Sequence, residues 1–383
     1  MPFRVLWICG LPKQVEDTCF HGADHGATAA WSWITAHLPA PSDIKLHVAC
    51  LWPGGSRRES FDFQGAHFHL LPCPAIGRAL LLFQRDTSYF RKLFEELRPD
   101  LVHGWGTEDS FGLVARRLAP QRHVIGIQGL IRNYYKYLPK TYRTVVVRAT
   151  ERMTLKKARY VVAESCYSLD SAAPLCPQAV RRVIEQPLRS EFLEAQPSDG
   201  MQRTVLFVGS IEERKGVMDA VLAFSRAAPD NWKLHVVGRG TVENESQMYR
   251  FVGDTRTNGR FHHSRNLDAP DLVKAMQESS VFLLPTRVDT GPTALKEALT
   301  MGLWPVCYDN SGPGEYVRKY AFGSLARDQD IDIFCRALKD CVMDLPWNDP
   351  NKRMILARRT RNDFSREQAW KQLIQFYQTV TSA

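Results

Sequence analysis

VFLLPTRVDTGPTALKE (281–297) is the stretch from which the fold is read. Four apolar residues end at Pro285, which lacks the N–H that a continuing central strand needs. A short loop then carries Asp289, Gly291 and Pro292, and Glu297 falls in the second turn of the helix that follows. The apolar run has no polar alternation, as expected of a strand covered on both faces. A buried strand feeding a helix through a short loop is one half of a parallel crossover unit.

Outward from this segment the same unit recurs along the whole chain. FRVLWICG (3–10), IKLHVACLW (44–52), DLVHGW (100–105) and HVIGIQG (123–129) read as short apolar strands in the first half. They alternate with helical stretches near 26–38, 86–98 and 108–118. In the second half TVLFVGS (204–210), KLHVVG (233–238), VFLLP (281–285) and PVCYD (305–309) are strands. Helices fall near 216–228, 268–280, 292–301 and 314–319. Val217, Ala220, Val221, Phe224 and Ala227 make one apolar stripe, and Asp268 is placed to cap the helix leading into VFLLP. Alternation of this kind predicts an α/β protein with parallel sheets covered on both faces. The polar, aperiodic stretch EAQPSDGMQR (194–203) reads as a linker, so two doubly wound, Rossmann-like domains are expected, over 1–195 and 203–364. Ligands of such sheets sit beyond the carboxyl ends of the strands, here in a cleft between two facing domains.

Length and composition agree with this. A chain of 383 residues exceeds what one core of about 150–200 residues accommodates. No apolar run reaches the roughly 18 residues of a membrane span, and the N-terminal run lacks the form of a signal peptide, so a cytoplasmic protein is expected. Nine cysteines without a CxxC pair indicate neither a disulfide framework nor a zinc site. His21, Asp24 and His25 resemble metal ligands in spacing, but nothing else in the sequence supports a metal. The net charge of +9 is concentrated: residues 130–160 hold nine Lys or Arg, five Tyr and one acid, Glu151. Such a stretch suits anionic lipid head groups on a membrane surface, or a phosphorylated acceptor, and is otherwise a solvated helix face. No nucleic-acid recognition module accompanies it.

Two segments carry chemistry. VLFVGSIEERKG (205–216) is a strand, a Gly turn and then Lys215-Gly216 at a helix start, where an ammonium and exposed N–H groups suit a diphosphate. VDTGPTALKE (288–297) places Asp289 and Glu297 eight positions apart, one in the loop and one on the helix. Together these elements resemble the retaining family 4 glycosyltransferases of the GT-B fold, also termed group 1. Those enzymes carry Gly-Arg-x4-Lys-Gly after a strand, then Glu-Gly-x-Pro-x4-Glu-Ala, then a Gly-rich turn with an acid. Here the first reads Gly209-Ser210 through Arg214-Lys215-Gly216, the second Asp289-Thr-Gly291-Pro292-Thr293 through Glu297-Ala298, and the turn SGPGE (311–315). FSREQAWKQLIQFY (364–377) is similar to the family's closing helix, which implies that 365–383 joins the first domain.

The resemblance implies a metal-independent enzyme without a cofactor, taking a nucleotide-diphosphate sugar as donor. It implies Lys215 on the diphosphate, Glu297 on the ribose and Asp289 on the transferred hexose. Gly209, Ser210, Arg214, Gly291, Pro292 and Thr293 would complete the donor site. Gly22, Gly26, His103, Glu108 and Gln128 would lie near the acceptor or sugar. Three positions depart from the family. Ser210 replaces an Arg, for which Arg214 is the substitute at hand; Asp289 shortens a Glu; Gln128 stands where a His precedes the Gly and cannot titrate. The implied mechanism is front-side attack with retention, since no carboxylate pair is placed for double displacement. The acceptor would be a saccharide or lipid-linked hydroxyl in polysaccharide biosynthesis. A nucleotide-sugar epimerase and a non-catalytic, nucleotide-sugar-binding scaffold remain as alternatives.

Overall fold

Every residue from Val5 to Cys9 is fully buried, because the first strand is covered on both sides. Its side chains alternate between two layers. Val5, Trp7 and Cys9 join one apolar cluster, and Leu6 and Ile8 join another on the opposite face. The computed structural model describes residues 2–20, 31–74, 77–255, 257, 259–346 and 348–382. Among these the chain separates into two compact units, Met1–Pro187 with Arg366–Ala383, and Leu188–Ser365.

The first unit contains β1 (Phe3–Cys9), β2 (Ile44–Pro53), β3 (Glu59–Phe63), β4 (Ala66–Cys73), β5 (Leu101–Trp105), β6 (His123–Ile127), β7 (Tyr160–Ala163) and β8 (Val180–Val183). They form one sheet in the order β3-β4-β2-β1-β5-β6-β7-β8. All neighbours pair in parallel except β3 and β4. That hairpin turns at Gln64 and Gly65, whose φ of 46° and 80° match the twist of a two-residue turn.

Helix Arg366–Thr381 belongs to this unit and closes its core. Trp370 stacks on Trp7 with ring centroids 5.5 Å apart, and its indole N–H donates to the His37 carbonyl at 2.7 Å. Leu373, Phe376, Tyr377 and Val380 enter the same cluster. Burying this stripe of aromatic and aliphatic side chains is what attaches the helix, since each contributes about 1.5–3 kcal/mol relative to exposure.

The second unit contains β9 (Thr204–Val208), β10 (Lys233–Val237), β11 (Phe261–Ser264), β12 (Val281–Leu284), β13 (Trp304–Asp309) and β14 (Ser324–Arg327). The sheet order is β11-β10-β9-β12-β13-β14, all parallel. The chain therefore builds outward from β9 in one direction and from β12 in the other. The switch point lies between these two strands, and the loops leaving their carboxyl ends flank it. On helix Val217–Ala227 the buried residues are Val217, Ala220, Val221, Ala223 and Phe224, and Ala227 is only half-buried. Asp268 caps its helix by accepting from the Asp271 N–H at 2.9 Å.

The boundary between units falls at Pro187 and not at the polar stretch 194–203. That stretch is tied into the second unit. The Ala195 carbonyl accepts from Arg361, the Ser198 N–H donates to the Met301 carbonyl, and the Ser198 hydroxyl to that of Ser279 at 2.7 Å. These bonds tie it to other elements of the second unit, so low hydrophobicity there does not mean a free linker. No helix among the described residues is long and apolar enough to cross a membrane.

Candidate functional site

In the second unit the loop after β9 and the loop after β12 are built against each other. Gly216 has φ of 73°, and a Cβ there would lie 2.0 Å from the Pro285 carbonyl oxygen, so only glycine lets the two loops meet. Beside it the Arg287 N–H donates to the Arg214 carbonyl at 2.8 Å, and the Thr286 hydroxyl donates to the same oxygen at 3.2 Å. A third loop, after β13, holds the second from outside. The Asn310 side-chain amide donates to the carbonyls of Thr286 and Arg287 at 3.0 and 3.1 Å. The Asp289 N–H donates to the Ser311 hydroxyl at 3.2 Å.

This scaffold brings Lys215 and Asp289, 74 positions apart, into contact: Lys215 Nζ donates to Asp289 Oδ2 at 2.5 Å. Both are mostly covered, with side chains 20% and 11% exposed, so the pair sits at the mouth of the switch point and not on open surface. Arg214 also reaches this region. One guanidinium nitrogen donates to the Val288 carbonyl at 3.3 Å and another to Glu212 at 2.7 Å. Ser210 is exposed and donates to the same Glu212 carboxylate at 2.8 Å. Arg214 and Ser210 thus share the Glu212 carboxylate as a partner. Gly209 and Gly291 are half-buried, Pro292 is buried, and Thr293 is exposed at the start of helix Thr293–Thr300.

Glu297 lies on that helix and is buried, and Arg189 donates to its Oε1 at 3.0 Å. Burial pushes its carboxyl above the usual range, and the Arg189 guanidinium pulls the other way. Arg189 was not legible in the sequence. It lies one residue inside the second unit, far from either motif.

In the first unit the switch point lies between β1 and β5. His103 is not part of that rim. It lies inside β5, fully buried, with its ring stacked on Trp105 at 3.7 Å. Tyr377 Oη accepts from the Trp7 indole at 3.0 Å and shares a hydrogen bond with His103 Nδ1 at 2.7 Å. Burial holds His103 well below the usual imidazole range, and among the described residues its buried Nε2 has no hydrogen-bond partner. Glu108 does lie in the loop beyond β5, half-buried, accepting from the Thr107 N–H at 2.8 Å. Burial raises its carboxyl to about 7, with Glu151 and Asp109 adding to the rise. Gln128 follows β6 at its carboxyl end and is half-buried. Gly22 and Gly26 lie outside the described residues.

Glu151, the single acid of the basic stretch, turns inward. It accepts from the N–H groups of Ile131 and Arg132 at 2.6 and 3.2 Å, and thereby fixes the loop after β6. Arg78 is likewise directed inward and pairs with the buried Asp86 at 2.5 Å and with Asp109 at 3.1 Å.

Two family sequence patterns match the chain, and they divide it as the fold does. Glycosyl transferases group 1 matches residues 189–363, and Glycosyltransferase Family 4 matches residues 34–183. The chain belongs to the group 1, family 4 glycosyltransferases. Similarity to individual family members is weaker. The chain is 25% identical over 162 residues to the GDP-mannose:cellobiosyl-diphosphopolyprenol alpha-mannosyltransferase of Xanthomonas campestris, a stretch that is 42% of each chain. It spans between 40% and 55% of the length of the curated relatives it matches. Among solved structures, sucrose-phosphate synthase from Thermosynechococcus elongatus has a TM-score of 0.76, 16% identity and 99% coverage of both chains. HepE from Anabaena, in complex with UDP and glucose, has a TM-score of 0.72, 12% identity and coverage of 98% of this chain and all of that one. These structures share the GT-B fold of this family member.

Proposed function

We propose that this chain is a retaining glycosyltransferase that moves a hexosyl group from a nucleotide-diphosphate sugar to a hydroxyl of a saccharide or lipid-linked acceptor, in glycan or polysaccharide biosynthesis. The observation that carries the reading is the contact between Lys215 and Asp289 at the switch point of the second sheet. Lys215 supplies positive charge for the donor diphosphate, and Arg214 stands beside it. A diphosphate oxygen that takes the Lys215 ammonium releases Asp289 to accept from a hydroxyl of the hexose. Glu297 receives the ribose.

With Asp289 engaged by a hexose hydroxyl and no carboxylate pair placed for double displacement, front-side attack is the favoured course. The departing diphosphate oxygen then takes the acceptor proton. The work of the protein is orientation and neutralisation of developing phosphate charge. Glu108 and Gln128 are proposed on the acceptor side, and no metal or cofactor enters the reaction. The epimerase and scaffold alternatives gain nothing from the family match.

A thermal-shift panel of UDP-, GDP- and ADP-sugars tests this reading. A ligand at 100 times its dissociation constant adds about 2.7 kcal/mol of stability. Absence of a shift with every nucleotide sugar, or wild-type transfer rates in both Lys215→Ala and Glu297→Ala, defeats it.

A specific observation favours a lipid-linked acceptor. Helix Tyr142–Lys156 leaves Tyr142 and Val145 more than half exposed, at 59% and 55%, beside the exposed Arg143, Arg148, Arg152 and Lys156. Apolar side chains among cations suit the surface of an anionic bilayer, as a peripheral contact. Cosedimentation with phosphatidylglycerol vesicles but not with phosphatidylcholine vesicles is expected, and equal recovery with both excludes it.

A further inference from the structure

Arg189 has no place in either motif, yet its position is held from several sides. The preceding Leu188 N–H donates to the Phe364 carbonyl at 3.0 Å, and the Phe192 N–H donates back to the Arg189 carbonyl at 3.1 Å. The guanidinium lies over the Phe192 ring at 4.9 Å, and Phe192 is itself fully buried. A stacked guanidinium has lost most of its rotamer freedom before it pairs, so its bond to Glu297 is set by the scaffold. Glu297 is nearly buried, with 5% of its side chain exposed, whereas Arg189 keeps 28%. The pair therefore has an outer member at the surface and an inner member that depends on it. A carboxylate at that depth without a cation nearby tends to take up a proton.

Several other charged groups bear on Glu297. Lys296 next to it favours the ionised form, and Glu191, on the segment carrying Arg189, opposes it. Helix Pro350–Asp363, packed against the Glu297 helix, brings the buried Arg353. Among the described residues, Arg189 is the one of these that makes a hydrogen bond to the carboxylate. That bond uses Oε1, and a carboxylate has acceptor capacity to spare at its second oxygen.

We propose that Arg189 is a positioning residue for the nucleotide-sugar site: it keeps the buried Glu297 carboxylate ionised and oriented, so that its second oxygen accepts from the vicinal hydroxyls of a nucleoside. The proposal rests on the donor reading above and adds to it the group on which the ribose contact depends. Removing the guanidinium leaves the carboxylate in place but lets it protonate. A protonated carboxyl accepts less well, so nucleotide affinity becomes dependent on pH, weaker in acid and recovering in base.

The test uses the full chain with UDP and GDP as probes, their dissociation constants measured from about pH 6 to about pH 9, a window that brackets a raised carboxyl. Wild type, Arg189→Gln, Arg189→Lys and Glu297→Gln are compared. Wild-type affinity is expected to be nearly flat across the window. Arg189→Gln is expected to bind about tenfold more weakly at the acid end, the loss of one charge-assisted bond, and to approach wild type at the basic end. Arg189→Lys keeps the charge and stays close to wild type, and Glu297→Gln is weak and flat. In turnover, Arg189→Gln raises the donor KM at low pH more than it lowers kcat.

Unchanged affinity of Arg189→Gln at every pH overturns the proposal. So does a uniform loss that Arg189→Lys fails to rescue, which marks a purely structural role. If Arg189→Gln does not fold, the Arg189→Lys profile decides, since a flat, wild-type profile requires the retained charge. Failure of the donor reading shows separately, as wild type that binds neither nucleotide.

Discussion

Lys215 and Asp289 form a pair whose value lies in being separable. Both are largely covered, so each has given up hydration for the other, and on the donor reading proposed above a diphosphate would offer Lys215 a more highly charged partner. Lys215→Ala should abolish the stabilisation conferred by a binding nucleotide sugar and lower transfer kcat/KM by about 100-fold, the scale of a lost charge-assisted contact to a reacting group. A thermal-shift titration and initial rates check both. Glu108 carries a pH signature. Its carboxyl is raised to about 7 in the folded chain. Between its ordinary value and that one, the folded state holds more protons than the unfolded state, so this group's contribution to stability falls as pH rises through the window. Glu108→Gln should therefore melt higher than wild type above about pH 7 and converge with it in acid, below the ordinary carboxylate range near 4.3. Melting curves at several pH values decide this, and parallel curves refute it.

The loops that make the site depend on backbone contacts more than on side-chain chemistry. Gly216→Ala drives a methyl group into the Pro285 carbonyl and strains a left-handed residue, so a loss of about 2–4 kcal/mol and displacement of Lys215 are expected together. Denaturant unfolding with a nucleotide titration measures both losses. The element that decided the reading, 281–297, was legible because a covered strand must be apolar throughout and cannot continue past Pro285. β11 (FHHS) and β8 (VRRV) were not. Edge positions leave such strands half-wet, so histidine and arginine replace the apolar pattern on which sequence reading relies. Lys215, Asp289 and Glu297 were singled out through spacing within motifs, and the structure brings the first two into contact. Arg189 was invisible because its partner is 108 residues away and nothing local marks it. His103 has a Nδ1 partner, Tyr377, that lies 274 residues away, so its burial inside the strand could not be read locally. The polar stretch 194–203 misled because its hydrogen-bond partners lie in other elements of the second unit.

Taken whole, the chain is two units of unequal continuity. The second, Leu188–Ser365, is made from one unbroken segment, whereas the first needs Met1–Pro187 and the distant Arg366–Ala383. A fragment spanning 188–365 is expected to unfold cooperatively by itself and to bind a nucleotide. A fragment spanning 1–187 lacks Trp370, Leu373, Phe376 and Tyr377 from its core and should melt poorly or aggregate until a peptide spanning 366–383 is supplied. Circular dichroism of each fragment, with and without the peptide, tests this, and a stable 1–187 alone refutes it. The consequence reaches back to synthesis. Domains ordinarily fold in the order in which they leave the ribosome. Here the half translated first must wait, with the layer around Trp7 uncovered, while the whole of its successor emerges and folds. Only then does the covering helix arrive. A chaperone that shields nascent apolar surface should accordingly be found on the early half of this polypeptide, and should let go when residues 366–383 leave the tunnel.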